Sequence, residues 1–99
     1  MFEVVTLLGA EIEIRVAFAK FADISFARAE RFDKNVQAAL GILATFPSSG
    51  PVFAGRIHRL VLNPGPFALF YVIEGNRVFI HAFLDTRQHP ETIRRRLNL

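Results

Sequence analysis

The sequence has no cysteine and no tryptophan, and a single methionine and a single tyrosine. Without cysteine there is no disulfide and no thiolate-held metal. The three histidines, His58, His81 and His89, have no short ligand spacing, so neither a metal nor any other cofactor is expected. No stretch comes near the roughly 18 consecutive apolar residues of a membrane-spanning helix. The start Met1-Phe2-Glu3 also lacks the basic region that opens a secretion signal. A cytoplasmic protein with no membrane partner is expected. Lysine is scarce as well: Lys20 and Lys34 are the only two, and every cation from position 56 onward is arginine.

What is abundant is phenylalanine, eleven in 99 residues, within a hydrophobic fraction of 52%. A chain of this length makes one domain, taken here as 1–99, and folding removes only roughly 60–65% of its unfolded surface from water. One small core cannot hide so much apolar material, so part of it is expected to meet a partner. The net charge of +3 is unevenly placed. Residues 1–55 hold five Lys/Arg against six Asp/Glu, whereas 56–99 hold seven Arg against three acids. Guanidinium pairs bidentately with phosphate or carboxylate and also lies flat on apolar surfaces, which favours recognition over plain solubility.

The opening Phe2–Leu7 is rich in β-formers and reads as a strand. The stretch from Ala10 to Phe18 alternates apolar and polar residues like a strand. Ile14, Phe18, Phe21 and Ala22 also mark a helical face, and the absence of Gly or Pro from Ala10 to Leu40 favours helix. A break at Asp23-Ile24-Ser25 lets Asp23 or Ser25 cap a second helix, with Phe32, Val36, Ala39, Leu40, Leu43 and Phe46 along one stripe. Pro47-Ser48-Ser49-Gly50-Pro51 stops it. Three antiparallel strands follow, about 56–62, 67–74 and 77–84, the last two joined by Gly75-Asn76. The middle strand is apolar on both faces and is expected to be covered on both. The first is expected at the sheet edge. In the last, Val78, Ile80, Ala82 and Leu84 are expected on one face and Arg77, Phe79, His81 and Phe83 on the other. Pro90 to Leu97 is a final helical turn, with Arg94, Arg95 and Arg96 where cations suit the helix dipole. The fold class is therefore α+β: an N-terminal strand, an α-helical hairpin packed on a small antiparallel sheet in the order β-α-α-β-β-β, and a short C-terminal helix.

Laid out this way, the chain resembles the RelE/ParE family of toxins from type II toxin–antitoxin systems. The stretches that carry the resemblance are Arg31-Phe32 through Ala39-Leu40, Leu43 to Phe46-Pro47, Gly55 to Arg59, Pro66 to Tyr71, and Asp85-Thr86-Arg87-Gln88 with Pro90. The resemblance implies a toxin silenced by a cognate antitoxin on the hairpin and sheet edge, as a homodimer or a toxin–antitoxin hetero-oligomer. Two branches compete. ParE-like members, associated with plasmid stabilization, inhibit DNA gyrase; RelE-like members cut messenger RNA on the ribosome. The sheet lacks the lysines that many RelE-like nucleases place beside the scissile phosphate, and the tail lacks a His-Tyr ending, which points to the ParE-like branch. Asp85 and Gln88 nonetheless replace the His and second Arg common in ParE tails.

For a ParE-like inhibitor the target-binding residues are expected to be Arg56, Arg59, Arg87, Arg94, Arg95 and Arg96. A ribonuclease acting through a 2′-OH would instead need a base, an acid and a cation for the developing charge. His58, Arg59, Tyr71, His81 and Arg87 form that alternative set. Against it, Tyr71 shares a strand face with Phe67, Leu69 and Ile73 and reads as a core tyrosine with a satisfied hydroxyl. His81 reads as a partly buried, hydrogen-bonded histidine between Phe79 and Phe83. His58 reads as an open edge-strand residue. Arg87 reads equally as a clamp on Asp85 or Glu91 and as a target contact. The arginine triplet reads as a solvated helix end, as a nucleic-acid contact, or as a partner for acidic residues of the antitoxin. A third reading is a toxin-fold remnant with neither activity.

Overall fold

The computed structural model describes residues 1–99. In chain order the elements are β1 (Glu3–Thr6), α1 (Leu8–Ile24), α2 (Phe26–Thr45), a 3-10 turn (Pro47–Ser49), β2 (Val52–Ala54), β3 (Ile57–Val61), β4 (Phe67–Glu74), β5 (Arg77–Asp85) and α3 (Pro90–Arg96). They form one five-stranded sheet in the order β1-β5-β4-β3-β2. β1 runs parallel to β5, while the other three pairs are antiparallel. The sheet is thus mixed and one strand larger than expected. Val52-Phe53-Ala54, confined between Pro51 and Gly55, is too short to show a period but pairs with β3. β2 takes the edge, so β3 is an inner strand rather than the edge strand expected.

The ambiguous stretch from Ala10 is helix throughout. Ala10 and Ala17 are buried, and Ile14 and Phe21 pack against the same core, a spacing of four, three and four. The alternate apolar residues Ile12, Val16 and Phe18 remain 51%, 49% and 39% exposed. A strand could not bury this set, because its period of two would put Ala10, Ile12, Ile14, Val16 and Phe18 on one face and Ala17 and Phe21 on the other. Ser25 caps α2, its Oγ accepting from the Arg28 N–H at 3.1 Å. Ala29, Phe32, Val36, Ala39 and Leu43 of α2 are buried, as its stripe requires. Phe46 departs from that stripe: it is the residue after the last turn and is 66% exposed.

The two faces of the sheet carry separate cores. On the hairpin side, Leu69, Tyr71, Val78, Ile80 and Phe83 meet the buried residues of α1 and α2. Phe21, Phe32, Phe67 and Phe83 form an aromatic group there, with centroids 5.1 Å apart for Phe21 and Phe32, and 4.9 Å for Phe67 and Phe83. On the far side, Ala68, Phe70, Ala82 and Leu84 are covered by Ile93 and Leu97. The middle strand is therefore covered on both faces, as expected.

The faces of β5 were expected otherwise. Phe70 pairs with Ala82 but Tyr71 pairs with Ile80, so His81 is an extra residue in a β-bulge. The bulge reverses the alternation after Ile80. Phe83 joins Val78 and Ile80 on the hairpin side, and Ala82 and Leu84 turn to α3.

Candidate functional site

Tyr71 and His58 are direct partners across β3 and β4, and their rings stack at 5.2 Å with 19° between planes. Both reach the segment that links α2 to β2. The Tyr71 hydroxyl donates to the Pro47 carbonyl at 2.6 Å and accepts from the Gly50 N–H at 3.0 Å. The His58 Nδ1 lies 2.8 Å from the Gly50 carbonyl. A carbonyl can only accept, so the proton is on Nδ1. Tyr71 is fully buried, and burial pushes its phenol above the ordinary value, with the Gly50 bond pulling the other way. Gly50 itself has no room for a side chain: a Cβ would stand 2.6 Å from the Arg59 carbonyl oxygen and 2.8 Å from the Tyr71 hydroxyl. The only tyrosine is thus a satisfied core residue. His58, expected to be open, is half-buried in the same clasp.

His81 is the reverse case. The bulge lifts it out of the pairing, and it is exposed instead of partly buried. Its carbonyl accepts from Arg96 Nη2 at 2.9 Å. Arg96 also grips Glu13 of α1 bidentately, Nε to Oε2 and Nη2 to Oε1 at 3.0 Å each. Glu13 in turn accepts the Phe83 N–H at 3.1 Å. One carboxylate therefore joins α1, the strand just past the bulge, and α3. Arg96 is a structural latch rather than a free contact. Gly9 makes room for it, since a Cβ there would lie 2.7 Å from Arg96 Nη2. Glu13 carried no signal in the sequence, being 83 positions from its partner.

The remaining expected site residues are dispersed. Arg87 is held by Asp85, Nε to Oδ1 at 3.1 Å and Nη2 to Oδ2 at 2.8 Å, with the Arg87 N–H also on Oδ1. This is one of the two roles expected for it. Hydrogen bonding to the Arg87 side chain holds the Asp85 carboxyl below the usual carboxylate range, and the same pair raises Arg87. Arg56 pairs with Glu74 at 3.1 Å on the surface. Arg59 lies over the Phe53 ring at 5.2 Å from its centroid. Arg59 is half-buried beside Phe53, whose ring meets Phe70 on the far face, whereas His58 and Tyr71 face the hairpin side. The five residues of the alternative nuclease set are not brought together. Arg94 and Arg95 are exposed on α3.

Six of the twelve Lys and Arg residues have a carboxylate partner. The six without one are Lys20, Arg28, Arg31, Arg59, Arg94 and Arg95. Beside them the hairpin exposes apolar side chains: Leu8 is 70% exposed, and Ile12 and Val16 continue the same row at i+4 and i+8. A groove of about 530 Å³ runs along α1 over the end of β5, lined by Ile12, Val16, Phe21, Phe83 and Arg87 among others. A second, of about 330 Å³, lies between α2 and the β3–β4 loop. These surfaces and the free arginines are what the molecule offers a partner.

No protein-family model matches the chain. No curated protein matches it either. Among solved structures it is similar to a chain of the "Chromosomal ParDE TA system from P. aeruginosa", with a TM-score of 0.76. The likeness covers 88% of this chain and 98% of that one, at 13% sequence identity. At that identity it is the path of the backbone that is shared. The fold expected from the resemblance, that of the RelE/ParE toxins, is the one this chain adopts.

Proposed function

We propose that this chain is a ParE-like toxin of a type II toxin–antitoxin system, which acts in the cytoplasm by protein–protein contact with DNA gyrase and is silenced by a cognate antitoxin. The carrying observation is the near-complete overlap with a chain of a ParDE system. The placement of His58 and Tyr71 supports it from the chemistry side, because the pair clasps the Pro47–Gly50 segment. A proton-transfer group must reach the atom it serves, and the Tyr71 hydroxyl has both its partners inside the fold.

In this reading Arg94 and Arg95, with Arg59, make the primary target contacts. Arg56 and Arg87 join them by exchanging their carboxylate partners, Glu74 and Asp85, for those of the target. The Leu8-Ile12-Val16 row on the hairpin belongs to the antitoxin, in a hetero-oligomer. The test is to induce the chain without its partner and to follow DNA supercoiling together with transcript integrity. Relaxed or linear DNA with intact transcripts is the expected result, and Arg94→Glu with Arg95→Glu should relieve it. Transcripts cut at ribosome-occupied codons would overturn the reading in favour of the ribonuclease. Harmless expression with both unchanged would leave a remnant of the fold.

A further inference from the structure

On the far side of the sheet, where α3 ends, there is a cavity of about 200 Å³. Ile57 of β3, Val72 of β4 and Leu97 give it an apolar wall, and His81, Arg96 and Asn98 are its polar lining, with no acid among them. Two local features build it. The bulge takes His81 out of the pairing with β4. Asn98, at a left-handed φ of 61°, then turns the chain back on α3, its N–H donating to the Arg95 carbonyl at 3.1 Å and the Leu99 N–H to the Arg94 carbonyl at 2.8 Å. The latch to Glu13 and to the His81 carbonyl uses Nε and Nη2 of Arg96, so both protons of Nη1 have no partner in the chain. The bonds of His81 and Asn98 are main-chain ones, which leaves the imidazole and the side-chain amide without partners as well. His81 and Asn98 are exposed and Arg96 is half-buried, so a solute can reach all three.

We infer that this cavity binds a small monocarboxylate with an apolar body about the size of one ring. Its oxygens accept from Arg96 Nη1 and from the His81 and Asn98 side chains, and its apolar body lies against Ile57, Val72 and Leu97. A few donors set against an aliphatic wall is the arrangement that orients such a ligand, and a guanidinium donor makes the carboxylate bond a charge-assisted one. Size points the same way. An apolar cavity of about 150 Å³ holds a benzene ring, so this one has room for a ring with one small substituent and not for a nucleotide. Charge excludes a phosphate dianion for a further reason: Arg96 already holds the Glu13 carboxylate, which would repel a second negative charge on the ligand. A ligand seated here touches β3, β4, β5 and α3 together, so its binding fastens α3 to the sheet.

The test uses the full, isotope-labelled chain and nuclear magnetic resonance. The probes are benzoate, its neutral isostere benzamide, inorganic phosphate and uridine 3′-monophosphate, each titrated at pH 7. Benzoate is expected to give saturable shifts at Val72, His81, Leu97 and Asn98 in the millimolar range, and to slow amide exchange at Ile93 and Leu97. The affinity should fall about tenfold for benzamide, and by a similar factor for benzoate with His81→Ala combined with Asn98→Gly, a glycine that keeps the left-handed turn. No saturable shift at these residues, or equal binding of benzoate and benzamide by the unaltered chain, would overturn the inference. So would tighter binding of phosphate or of the nucleotide at the same residues. The comparison of probes needs no variant, so a misfolded variant cannot obscure it. Because the readout is binding in vitro, an absence of gyrase inhibition would remove the proposed function while leaving this result standing.

Discussion

Tyr71→Phe removes one oxygen atom and leaves the ring, so it isolates the worth of the clasp on the Pro47–Gly50 segment. Two partners lose their bond, the Gly50 N–H and the Pro47 carbonyl. A buried group left unsatisfied costs about 1–3 kcal/mol. Gly50 is buried and cannot be rehydrated without opening the segment, whereas Pro47 is half-exposed and can regain water. The expected loss is therefore about 1.5–3 kcal/mol. For a domain of this size each kcal/mol moves Tm by about 4–8 °C, so a fall of about 6–24 °C is expected. Equilibrium urea unfolding followed by circular dichroism would show a lower midpoint with an unchanged slope.

The pH dependence supplies a second, independent sign. The folded Tyr71 phenol is raised above its unfolded value of about 10. Its contribution is therefore complete below that pH, and it declines as the pH rises through the unfolded value and then the folded one. The gap in stability between the unaltered chain and Tyr71→Phe should accordingly narrow only at strongly alkaline pH. A variant within about 0.5 kcal/mol of the unaltered chain, the range of ordinary surface changes, would refute the account of Tyr71 as a structural tyrosine.

Three further changes follow from the same structure. Gly50→Ala forces a methyl group to 2.6 Å from the Arg59 carbonyl carried by β3, and should cost at least about 1–3 kcal/mol of overpacking, read by the same unfolding curve. Arg96→Ala should release α3 from Glu13 and the His81 carbonyl, at about 1–2 kcal/mol after allowance for solvent screening. Amide exchange should then accelerate at Ile93 and Leu97 before it does at β4. Asp85→Asn should abolish an acid-side dependence. The carboxyl is held low by Arg87, so its contribution is present at neutral pH and is lost as the pH falls from the ordinary carboxylate range through the folded value. Stability curves of the two proteins should converge in acid; curves that stay parallel would refute the role of the pair.

Most of the architecture was legible before any coordinate, because it depends on periodicity and punctuation. The α2 stripe, the Ser25 cap, the Gly75-Asn76 turn and the two-sided burial of β4 each follow from residues within one turn or one strand of each other. The burial of Tyr71 and the Arg87–Asp85 pair were within reach for the same reason. What escaped was every feature set by residues far apart in the chain. β2 is three residues long and exists only because β3 offers it a partner. Glu13 became a structural residue because α3 folds back to it.

The division is a physical one. Hydrophobic spacing, capping and turn chemistry act over a few residues, so the sequence alone determined that a helical hairpin faces an apolar meander and that the surplus cations are arginines. Pairing register and long-range salt links depend on how whole elements dock. A single extra residue at His81, announced by neither glycine nor proline, turned Phe83 and Leu84 to opposite cores, exposed a histidine and placed its carbonyl for Arg96. Which arginines remain free to meet a partner was decided there, in the tertiary structure.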